Sequence, residues 1–332
     1  MTLSGIASER VAQSRAEIPT MDALAVILEQ PEHLSLQRLA LEPANGSDAV
    51  VAVAWSGIST GTERLLWSGR MPPFPGMGYP LVPGYESVGT VAEADAGGAV
   101  RVGQTVFIPG ARCFGAVRGL FGGAASHLIA PAARLMPVDA ALGDTACLLA
   151  LAATAYRALG GIQPGATPLI VGHGVLGRLL ARLTLAAGAA PIVWETNPLR
   201  RAGDHGYPVV TPESDPRRDY AVITDVSGDA SGLDALIARL APGGEIVLAG
   251  FYEAPLSFAF PPAFMREARI RISAEFKPAD LVAVTALIDG GRLSLDGLIT
   301  HRVAAADAEA AYRTAFTDPA CLKMILDWRD AA

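Results

Sequence analysis

A glycine-rich stretch offers the clearest chemistry in the sequence. Gly172, Gly174 and Gly177 follow the pattern Gly-x-Gly-x-x-Gly, directly after a short apolar run. In this pattern the first glycine permits a tight turn, the second lets a pyrophosphate approach the backbone, and the third lets a helix pack on the strand. Val175 and Leu176 lie at the start of that helix, where free N–H groups and the helix dipole favour anions. The stretch therefore predicts a strand, a turn and a helix N-terminus that bind a dinucleotide.

An acidic residue follows this turn at an informative distance. Residues 190–195 form a predicted second strand that ends in Glu195, 23 residues after Gly172 and near the usual spacing of a ribose-binding carboxylate. Such a carboxylate accepts hydrogen bonds from ribose hydroxyls and repels a 2′-phosphate, which favours NAD over NADP. Arg200 and Arg201 follow closely and are the opposing signal, because a nearby arginine accommodates the NADP phosphate. We predict NAD because the acid occupies the strand end itself.

The rest of the chain predicts two kinds of domain around this turn. Up to about Asp144, short apolar runs separated by Gly and Pro favour a barrel-like β domain; these runs cover residues 23–28, 48–55, 84–91 and 100–108. Residues 146–159 lack Pro and Gly and predict a helix that ends at Gly160. Later strand candidates cover residues 208–210, 220–224, 245–249 and 270–274. With the first two, they give six parallel strands alternating with helices, an α/β doubly wound sheet.

The C-terminal segment begins at about Lys277. It carries one predicted helix, a strand-like stretch at residues 298–303, a second helix at 305–316 and a final strand at 323–326. We expect this segment to return and pack on the first domain. Residues 1–20 are polar, without an apolar core, and predict a mobile N-terminal extension rather than a secretory signal.

Composition excludes several classes of function. The chain has 332 residues, of which 51% are hydrophobic and 18% charged, and its net charge is −7. No basic run suggests nucleic-acid binding, and no apolar stretch reaches the ~18 residues of a membrane span, which argues against stable membrane insertion. Three scattered cysteines, Cys113, Cys147 and Cys321, fit a reducing compartment and hence the cytoplasm.

The order of these domains resembles the medium-chain dehydrogenase/reductase superfamily. Matching stretches are residues 84–89, 102–106, 154–159, the glycine-rich turn and 299–302. The resemblance implies a GroES-like β-barrel catalytic domain at residues 21–154 and 277–332, and a Rossmann dinucleotide-binding domain at 155–276. It is compatible with a homodimer.

Three stretches resemble a narrower branch of this superfamily that acts on chlorophyllide-type macrocycles. They are residues 56–63, the Pro-rich loop 71–83 and residues 83–87. The resemblance implies NAD-dependent oxidation of the 3-(1-hydroxyethyl) group of a tetrapyrrole to acetyl in bacteriochlorophyll biosynthesis.

The zinc ligands of related alcohol dehydrogenases have no counterparts here. Their positions fall at Ser59 or Thr60, at Tyr85 and at about Ala150, and the four-cysteine structural lobe is reduced to Cys113. These side chains do not replace a thiolate–imidazole set. We therefore predict that the enzyme binds no metal.

Without zinc, positioned hydroxyls and a base must remove the alcohol proton. The resemblance implies that Thr62 bonds the substrate hydroxyl and starts a proton relay, and that Tyr85 donates to the developing oxyanion. Glu63 and Glu86 match acids beside the zinc site. Either one acts as the base, or both pair with arginines such as Arg64 or Arg70.

Further roles come from the same resemblance. It assigns Thr154 to the nicotinamide, and Asp225, Gly228 and Gly250 to cofactor contacts at strand ends. A pocket between the domains would take the macrocycle, with Arg70 or Arg118 meeting its propionate. Large apolar side chains are candidates for the pocket mouth: Trp55, Trp67, Met71, Phe74, Met77 and Tyr79.

The three histidines near these motifs are expected to have structural roles. His127 lies in a predicted strand, His173 lies inside the glycine-rich turn and His301 lies near the domain junction. We expect His173 to position the turn.

Two other functions compete with oxidation of an alcohol. A zinc-independent quinone or enoyl reductase of the same superfamily would also lack the metal ligands. A non-enzymatic pigment-binding protein is a second alternative, but it would need neither the glycine-rich turn nor Glu195.

Overall fold

The computed structural model describes residues 21–331, so the predicted extension at residues 1–20 lies outside the described residues. The described strands are β1 (Asp22–Gln30), β2 (His33–Ala40), β3 (Asp48–Ile58), β4 (Leu81–Val82), β5 (Ser87–Glu93), β6 (Thr105–Ile108), β7 (Arg118–Gly119), β8 (His127–Pro131), β9 (Met136–Pro137), β10 (Leu169–Val171), β11 (Ile192–Trp194), β12 (Val209–Val210), β13 (Tyr220–Asp225), β14 (Leu240–Leu248), β15 (Arg269–Ile272), β16 (His301–Ala304) and β17 (Met324–Asp327). The described α-helices are α1 (Thr62–Trp67), α2 (Leu149–Leu159), α3 (Val175–Ala186), α4 (Pro198–Arg201), α5 (Leu233–Ile237), α6 (Phe260–Met265), α7 (Pro278–Asp289) and α8 (Ala308–Thr317). Short 3₁₀ helices cover Ala132–Arg134, Ala140–Leu148 and Ala305–Asp307.

Two sheets of short strands form the first domain. One has the order β2-β1-β4-β7, and the other has the order β16-β17-β3-β5-β6-β9 with β8 also paired to β3. The C-terminal strand β17 runs antiparallel to β3 and places Met324 opposite Ile58. The C-terminal segment therefore contributes a strand to the sheet of the first domain.

The third sheet is the predicted doubly wound one. Its six strands lie in the order β12-β11-β10-β13-β14-β15, and every neighbouring pair is parallel. The chain leaves β10 toward β11 on one side and reaches β13 on the other, so the strand order reverses at β10. Ligands of such sheets bind in the crevice at the carboxyl ends of the strands beside this reversal.

Helix α2 connects the two parts of the molecule. It starts at Leu149, later than the predicted residue 146, because the preceding turns are 3₁₀ and contain Gly143 at a φ of 53°. It ends at Gly160, which has the left-handed conformation expected of a helix C-terminus. α2 packs on α3 and α7 and shares a core with Val88 of the barrel. The predicted domain boundary between residues 154 and 155 falls inside this helix.

Strand β2 and helix α1 are among the described elements that were not predicted from the sequence. Strand β2 pairs with β1 as an antiparallel hairpin, although its polar and apolar residues alternate only weakly. Helix α1 is under two turns long and buries Leu65 and Leu66. Sequence periodicity is a weak signal over so few residues.

No helix among residues 21–331 is long and apolar enough to cross a membrane.

Candidate active site

The glycine-rich turn has the geometry that its sequence predicts. Gly172 has a φ of 103°, a conformation that favours glycine, and it follows β10 directly. A Cβ at Gly177 would lie 1.9 Å from the Gly172 carbonyl oxygen, so only glycine allows α3 to pack this closely. A Cβ at Gly174 would meet no protein atom within 4 Å, which leaves its backbone open on the side where a phosphate would approach. The free N–H groups at the start of α3, Val175 and Leu176 among them, complete this anion-binding turn.

Glu195 is fixed at the end of β11 beside this turn. Its carboxylate accepts hydrogen bonds from the His173 backbone N–H at 3.0 Å and from the Asn197 backbone N–H at 2.8 Å. Arg201 donates to the Glu195 carbonyl at 3.1 Å and to the Thr196 carbonyl at 2.6 Å. The guanidinium of Arg201 is thus engaged by backbone oxygens, while the carboxylate of Glu195 remains the anionic group at the strand end.

His173 joins the turn to the loop after Glu195. The ring is fully buried, and its Nδ1 lies 2.7 Å from the Arg200 carbonyl, so Nδ1 carries the proton and donates. Nε2 then accepts from the Tyr207 hydroxyl at 2.9 Å. Burial lowers the pKa of His173 to about 4, and the hydrogen bond to the Arg200 carbonyl opposes that shift only in part. A neutral histidine therefore fixes the turn, which supports the positional role expected for it.

The loops after β13 and β14 meet at the same edge of the sheet. Asp225 accepts from the Ser227 backbone N–H at 2.8 Å and from the Tyr252 hydroxyl at 2.8 Å, and burial raises the pKa of its carboxyl. A Cβ at Gly250 would lie 3.1 Å from the Gly228 nitrogen, so these loops touch through their glycines. Asp225 therefore shapes this edge through protein contacts.

Thr154, the remaining predicted cofactor residue, lies on α2. Its hydroxyl donates to the Ala150 carbonyl at 2.8 Å, one turn earlier in the helix.

Three hydroxyl groups form a connected chain where zinc ligands would stand. The Tyr85 hydroxyl lies 2.5 Å from Ser59 Oγ and donates to Thr62 Oγ1 at 3.5 Å. Since the phenol has one proton, Ser59 donates to Tyr85. Burial, with the negative charge of Glu86, raises the pKa of Tyr85 well above its ordinary value, so the phenol stays protonated. Phe121 packs edge-on against the Tyr85 ring and fixes its plane.

Glu63 lies beneath this chain, and both of its carboxylate oxygens are engaged. Oε1 accepts from the Ser59 backbone N–H at 3.0 Å, and Oε2 accepts from the Tyr312 hydroxyl at 2.7 Å. Burial raises the pKa of Glu63 to about 7. The carboxyl thus connects the loop that carries Ser59 to helix α8.

Glu86 forms a buried ion pair that the sequence did not suggest. Lys323 Nζ donates to Glu86 Oε2 at 2.5 Å and to the Ile58 carbonyl at 3.1 Å. Both side chains are almost wholly inaccessible to solvent. The second oxygen, Oε1, is buried and has no hydrogen-bond partner among the described residues. Burial raises the pKa of Glu86, and the charge of Lys323 opposes that shift.

The predicted arginine partners of these acids are therefore wrong. Arg70 instead pairs with Glu253 at 3.3 Å, and no contact joins Arg64 to either acid in the described part of the chain. Strand pairing brings Lys323 to Glu86, and helix α8 brings Tyr312 to Glu63. The sequence did contain one signal: Lys323 stands alone in an apolar strand, and a buried lysine needs a partner.

The residues at the zinc-ligand positions do not fit a zinc ion. Ser59 and Tyr85 are bonded to each other, Ala150 has no donor atom, and Glu86 is paired with an ammonium group. No group of three or more His, Cys, Asp or Glu side chains suited to a metal ion occurs in residues 21–331. We derive no chemical step through a metal.

The predicted pocket mouth forms a small core. Five of its six residues pack together with leucines of α1 and β4: Trp67, Met71, Phe74, Met77 and Tyr79. Trp55 lies elsewhere, beneath the guanidinium of Arg329. With His127 and Trp328, Trp55 lines a separate cavity of about 440 Å³. His301 bonds its neighbour Thr300 at 2.9 Å, and neither His127 nor His301 belongs to the hydroxyl chain.

Comparisons with known proteins agree with this geometry. Residues 45–140 match the alcohol dehydrogenase GroES-like domain. The chain is 59% identical to the 2-desacetyl-2-hydroxyethyl bacteriochlorophyllide A dehydrogenase of Rhodobacter capsulatus, over 94% of this chain and 100% of the relative. It is 57% identical to the dehydrogenase of the same name from Cereibacter sphaeroides, over 94% and 100%. The solved acetophenone reductase from Geotrichum candidum, in complex with NAD, has the same fold at 18% identity and a TM-score of 0.79, over 96% of this chain and 100% of that chain.

A GroES-like barrel joined to a Rossmann sheet defines the chain as a medium-chain dehydrogenase/reductase, an oxidoreductase that acts on a CH–OH group. It belongs to the family of the 2-desacetyl-2-hydroxyethyl bacteriochlorophyllide A dehydrogenases.

Proposed function

We propose that this enzyme oxidises the hydroxyethyl substituent of a bacteriochlorophyllide-type macrocycle to an acetyl group, with NAD as the hydride acceptor. The full-length likeness to the two named relatives carries the proposal. The chain of hydroxyl groups at the former zinc position supplies chemistry that suits a secondary alcohol.

Oxidation of the alcohol removes a hydride from carbon and a proton from oxygen. A nicotinamide cofactor, when bound, accepts the hydride. Thr62 bonds the substrate hydroxyl and takes up its proton while it releases its own proton to solvent. Tyr85, whose single proton first bonds Thr62 Oγ1, stays protonated and turns that proton to the developing oxyanion. The Tyr85–Thr62 contact of 3.5 Å and the raised pKa of the phenol support these two roles.

The two buried acids, Glu63 and Glu86, have different hydrogen-bond partners and different proposed roles. Glu63 has no open oxygen, so we assign it to holding the Ser59 loop and Tyr312 in place. Glu86 keeps an unpartnered oxygen and follows Tyr85 in the chain, and its ionised form is stabilised by Lys323. No hydroxyl of the Ser59–Tyr85–Thr62 chain bonds either oxygen of Glu86, so we assign Glu86 to holding Lys323 and the segment that carries Tyr85 in place.

The cofactor would bind along the carboxyl edge of the parallel sheet. Gly174 would leave room for the pyrophosphate, between Gly172, which makes the turn, and Gly177, which lets α3 pack, and Glu195 would accept from the ribose hydroxyls. Gly228 and Gly250 shape the edge next to them, and Asp225 holds that edge together. We assign Thr154 to the nicotinamide on the family resemblance alone.

The residues at this site support catalysis without zinc, because the positive charge beside Glu86 comes from the ammonium group of Lys323. We expect elemental analysis of the active enzyme to find no stoichiometric zinc, and chelation to leave turnover unchanged. Activity lost on chelation and restored by zinc would contradict this.

The deciding experiment offers purified enzyme the 3-hydroxyethyl macrocycle with NAD or NADP, and in parallel a quinone or enoyl substrate with NADPH. We expect the acetyl product with NAD. Reduction of a conjugated double bond without alcohol oxidation would favour the quinone or enoyl reductase. No binding of NADH in a fluorescence titration would favour a pigment-binding protein.

We also propose that the enzyme works in the cytoplasm. All three cysteines are free and buried, as suits a reducing compartment.

A further inference from the structure

An ion pair joins the two domains just beyond helix α1. Arg70 Nη1 lies 3.3 Å from Glu253 Oε1, and the two side chains are 55% and 41% exposed. Arg70 belongs to the barrel domain, whereas Glu253 follows β14 at the carboxyl edge of the Rossmann sheet. This edge is where ligands of such sheets bind.

Arg70 is anchored to the same short helix that presents Thr62. Thr62 opens α1, and the Arg70 backbone N–H donates to the Leu65 carbonyl at 3.0 Å. The helix has six residues, and the chain turns at Gly69, which has a φ of 71°, so this bond holds Arg70 against the helix end opposite Thr62. A macrocycle whose hydroxyethyl group lies at Thr62 would therefore have Arg70 on the same short helix, beside a substituent on its other side.

The surroundings of the pair suit a planar apolar acid. Phe251, two residues before Glu253, is 48% exposed although it is a large aromatic side chain. Trp67 and Met71, on either side of Arg70, pack in the small core beneath it and hold its backbone firmly. An apolar ring and a guanidinium beside one cleft would bind a flat macrocycle and a carboxylate together.

The present partner of Arg70 can be exchanged. Exposed ion pairs contribute little to stability, so another carboxylate could replace Glu253 at small cost. Arg118, the other candidate cation, lies beside Gly78 and donates to the Tyr79 carbonyl of its own loop at 3.3 Å. Of Arg70 and Arg118, only Arg70 is paired with a carboxylate. A substrate carboxylate could take the position that the Glu253 carboxylate has now.

We propose that Arg70 binds the propionate carboxylate of the substrate, which replaces Glu253 when the macrocycle enters the cleft. The proposal rests on the proposed function, because a bacteriochlorophyllide carries this side chain as a free acid.

The test compares the 3-hydroxyethyl bacteriochlorophyllide with its propionate methyl ester. Dissociation constants come from quenching of tryptophan fluorescence, and kcat and KM come from formation of the acetyl product. The variants are Arg70→Gln, Glu253→Gln and, as a matched control, Arg64→Gln, which removes an exposed arginine from the same helix.

We expect Arg70→Gln to weaken binding of the acid by about 10- to 100-fold, the scale of a hydrogen bond to a charged group, with kcat largely kept. Binding of the ester should change less than about twofold, because it lacks the charge. Arg64→Gln should bind both compounds like the wild type. Glu253→Gln should bind the acid at least as tightly as the wild type, because the competing carboxylate is gone.

Equal weakening of acid and ester in Arg70→Gln would overturn the proposal, and so would no weakening of either. Wild-type turnover is read separately. A wild type that binds the acid through Arg70 without oxidising it would overturn the proposed function and keep the carboxylate site. If the wild type oxidises acid and ester alike and Arg70→Gln changes neither, the carboxylate site is overturned and the proposed function is kept.

Discussion

At the scale of single residues, the exchange of metal ligands for hydroxyl groups changes what each side chain must do. Ser59, Tyr85 and Thr62 form one hydrogen-bonded chain, and the raised pKa of Tyr85 keeps the phenol a donor. Fixed donors at a developing charge take over part of the work of a metal ion. In the proposed mechanism the proton leaves through Thr62, which gives its hydroxyl a role that a methyl group cannot fill.

We predict that Thr62→Val lowers turnover of the alcohol by about 10²-fold, the usual scale for a lost acid–base contact. The substitution keeps the volume and removes the hydroxyl that accepts from Tyr85. Thr62→Ser is the matched control and should keep most of the activity. Steady-state kinetics with a parallel melting curve would contradict the prediction if Thr62→Val lost stability but kept turnover.

A second prediction at this scale concerns Glu195. Glu195→Ala should weaken NADH binding by about 1.5–3 kcal/mol, the worth of hydrogen bonds to a charged group, and should relax discrimination against NADPH. Glu195→Gln removes the charge and keeps an acceptor oxygen for only one of the His173 and Asn197 N–H groups, which now bond separate oxygens, so it should also relax discrimination, with a loss of affinity no larger than that of Glu195→Ala. Fluorescence titrations with both cofactors measure these effects. A wild type that prefers NADPH would refute the assignment.

At the scale of elements, the glycine-rich turn has glycines with two different roles, one in helix packing and one in leaving room for a ligand. Gly177 allows α3 to pack against β10, since a Cβ there would lie 1.9 Å from the Gly172 carbonyl oxygen. Gly174 has room for a Cβ and a φ of −72°, which any residue can adopt. Packing of α3 therefore requires glycine at residue 177, whereas the approach of a ligand would require glycine at residue 174.

We predict that Gly177→Ala lowers the free energy of unfolding by about 1–3 kcal/mol through overpacking. Gly174→Ala should stay within about 0.5 kcal/mol of the wild type, as surface substitutions do, and yet weaken NADH binding. Chemical denaturation and NADH titration of both variants test this contrast. Equal losses of stability in the two variants would show that the turn is purely structural.

At the scale of the whole molecule, the buried ion pair ties the two ends of the barrel domain together. Lys323 precedes the C-terminal strand β17, while Glu86 precedes β5 and Ile58 ends β3. The site therefore depends on a strand that the chain adds after completing the whole Rossmann sheet.

We predict that Lys323→Met lowers the free energy of unfolding by about 3–5 kcal/mol, because it leaves the Glu86 carboxylate buried without a counter-ion. The double variant Lys323→Met/Glu86→Leu should recover most of that loss, because both charges are then gone. Arg302→Met, which breaks the exposed pair with Asp144, is the control and should cost less than about 1 kcal/mol. Denaturation curves that rank the control with Lys323→Met would contradict the prediction.

The sequence by itself determined the features that neighbouring residues encode. The glycine spacing specified the turn at Gly172, and the apolar runs specified six parallel strands. Glu195 could be placed at a strand end by counting, because a βαβ unit has a nearly fixed length. The lack of zinc ligands was predicted from the residue types at the positions that the family resemblance marks.

Only the tertiary structure decided which partners the buried groups have. Tyr312 lies 249 residues from Glu63, and Lys323 lies 237 residues from Glu86, so no local pattern relates them. Their contacts depend on the packing of α8 and on the pairing of β17 with β3, which sets Met324 opposite Ile58. The same holds for Arg70, which the sequence paired with a neighbouring acid and the fold paired with Glu253 of the other domain. Burial decides the pairings of Glu63 and Glu86, since an acid removed from water must find a donor wherever the folded chain provides one.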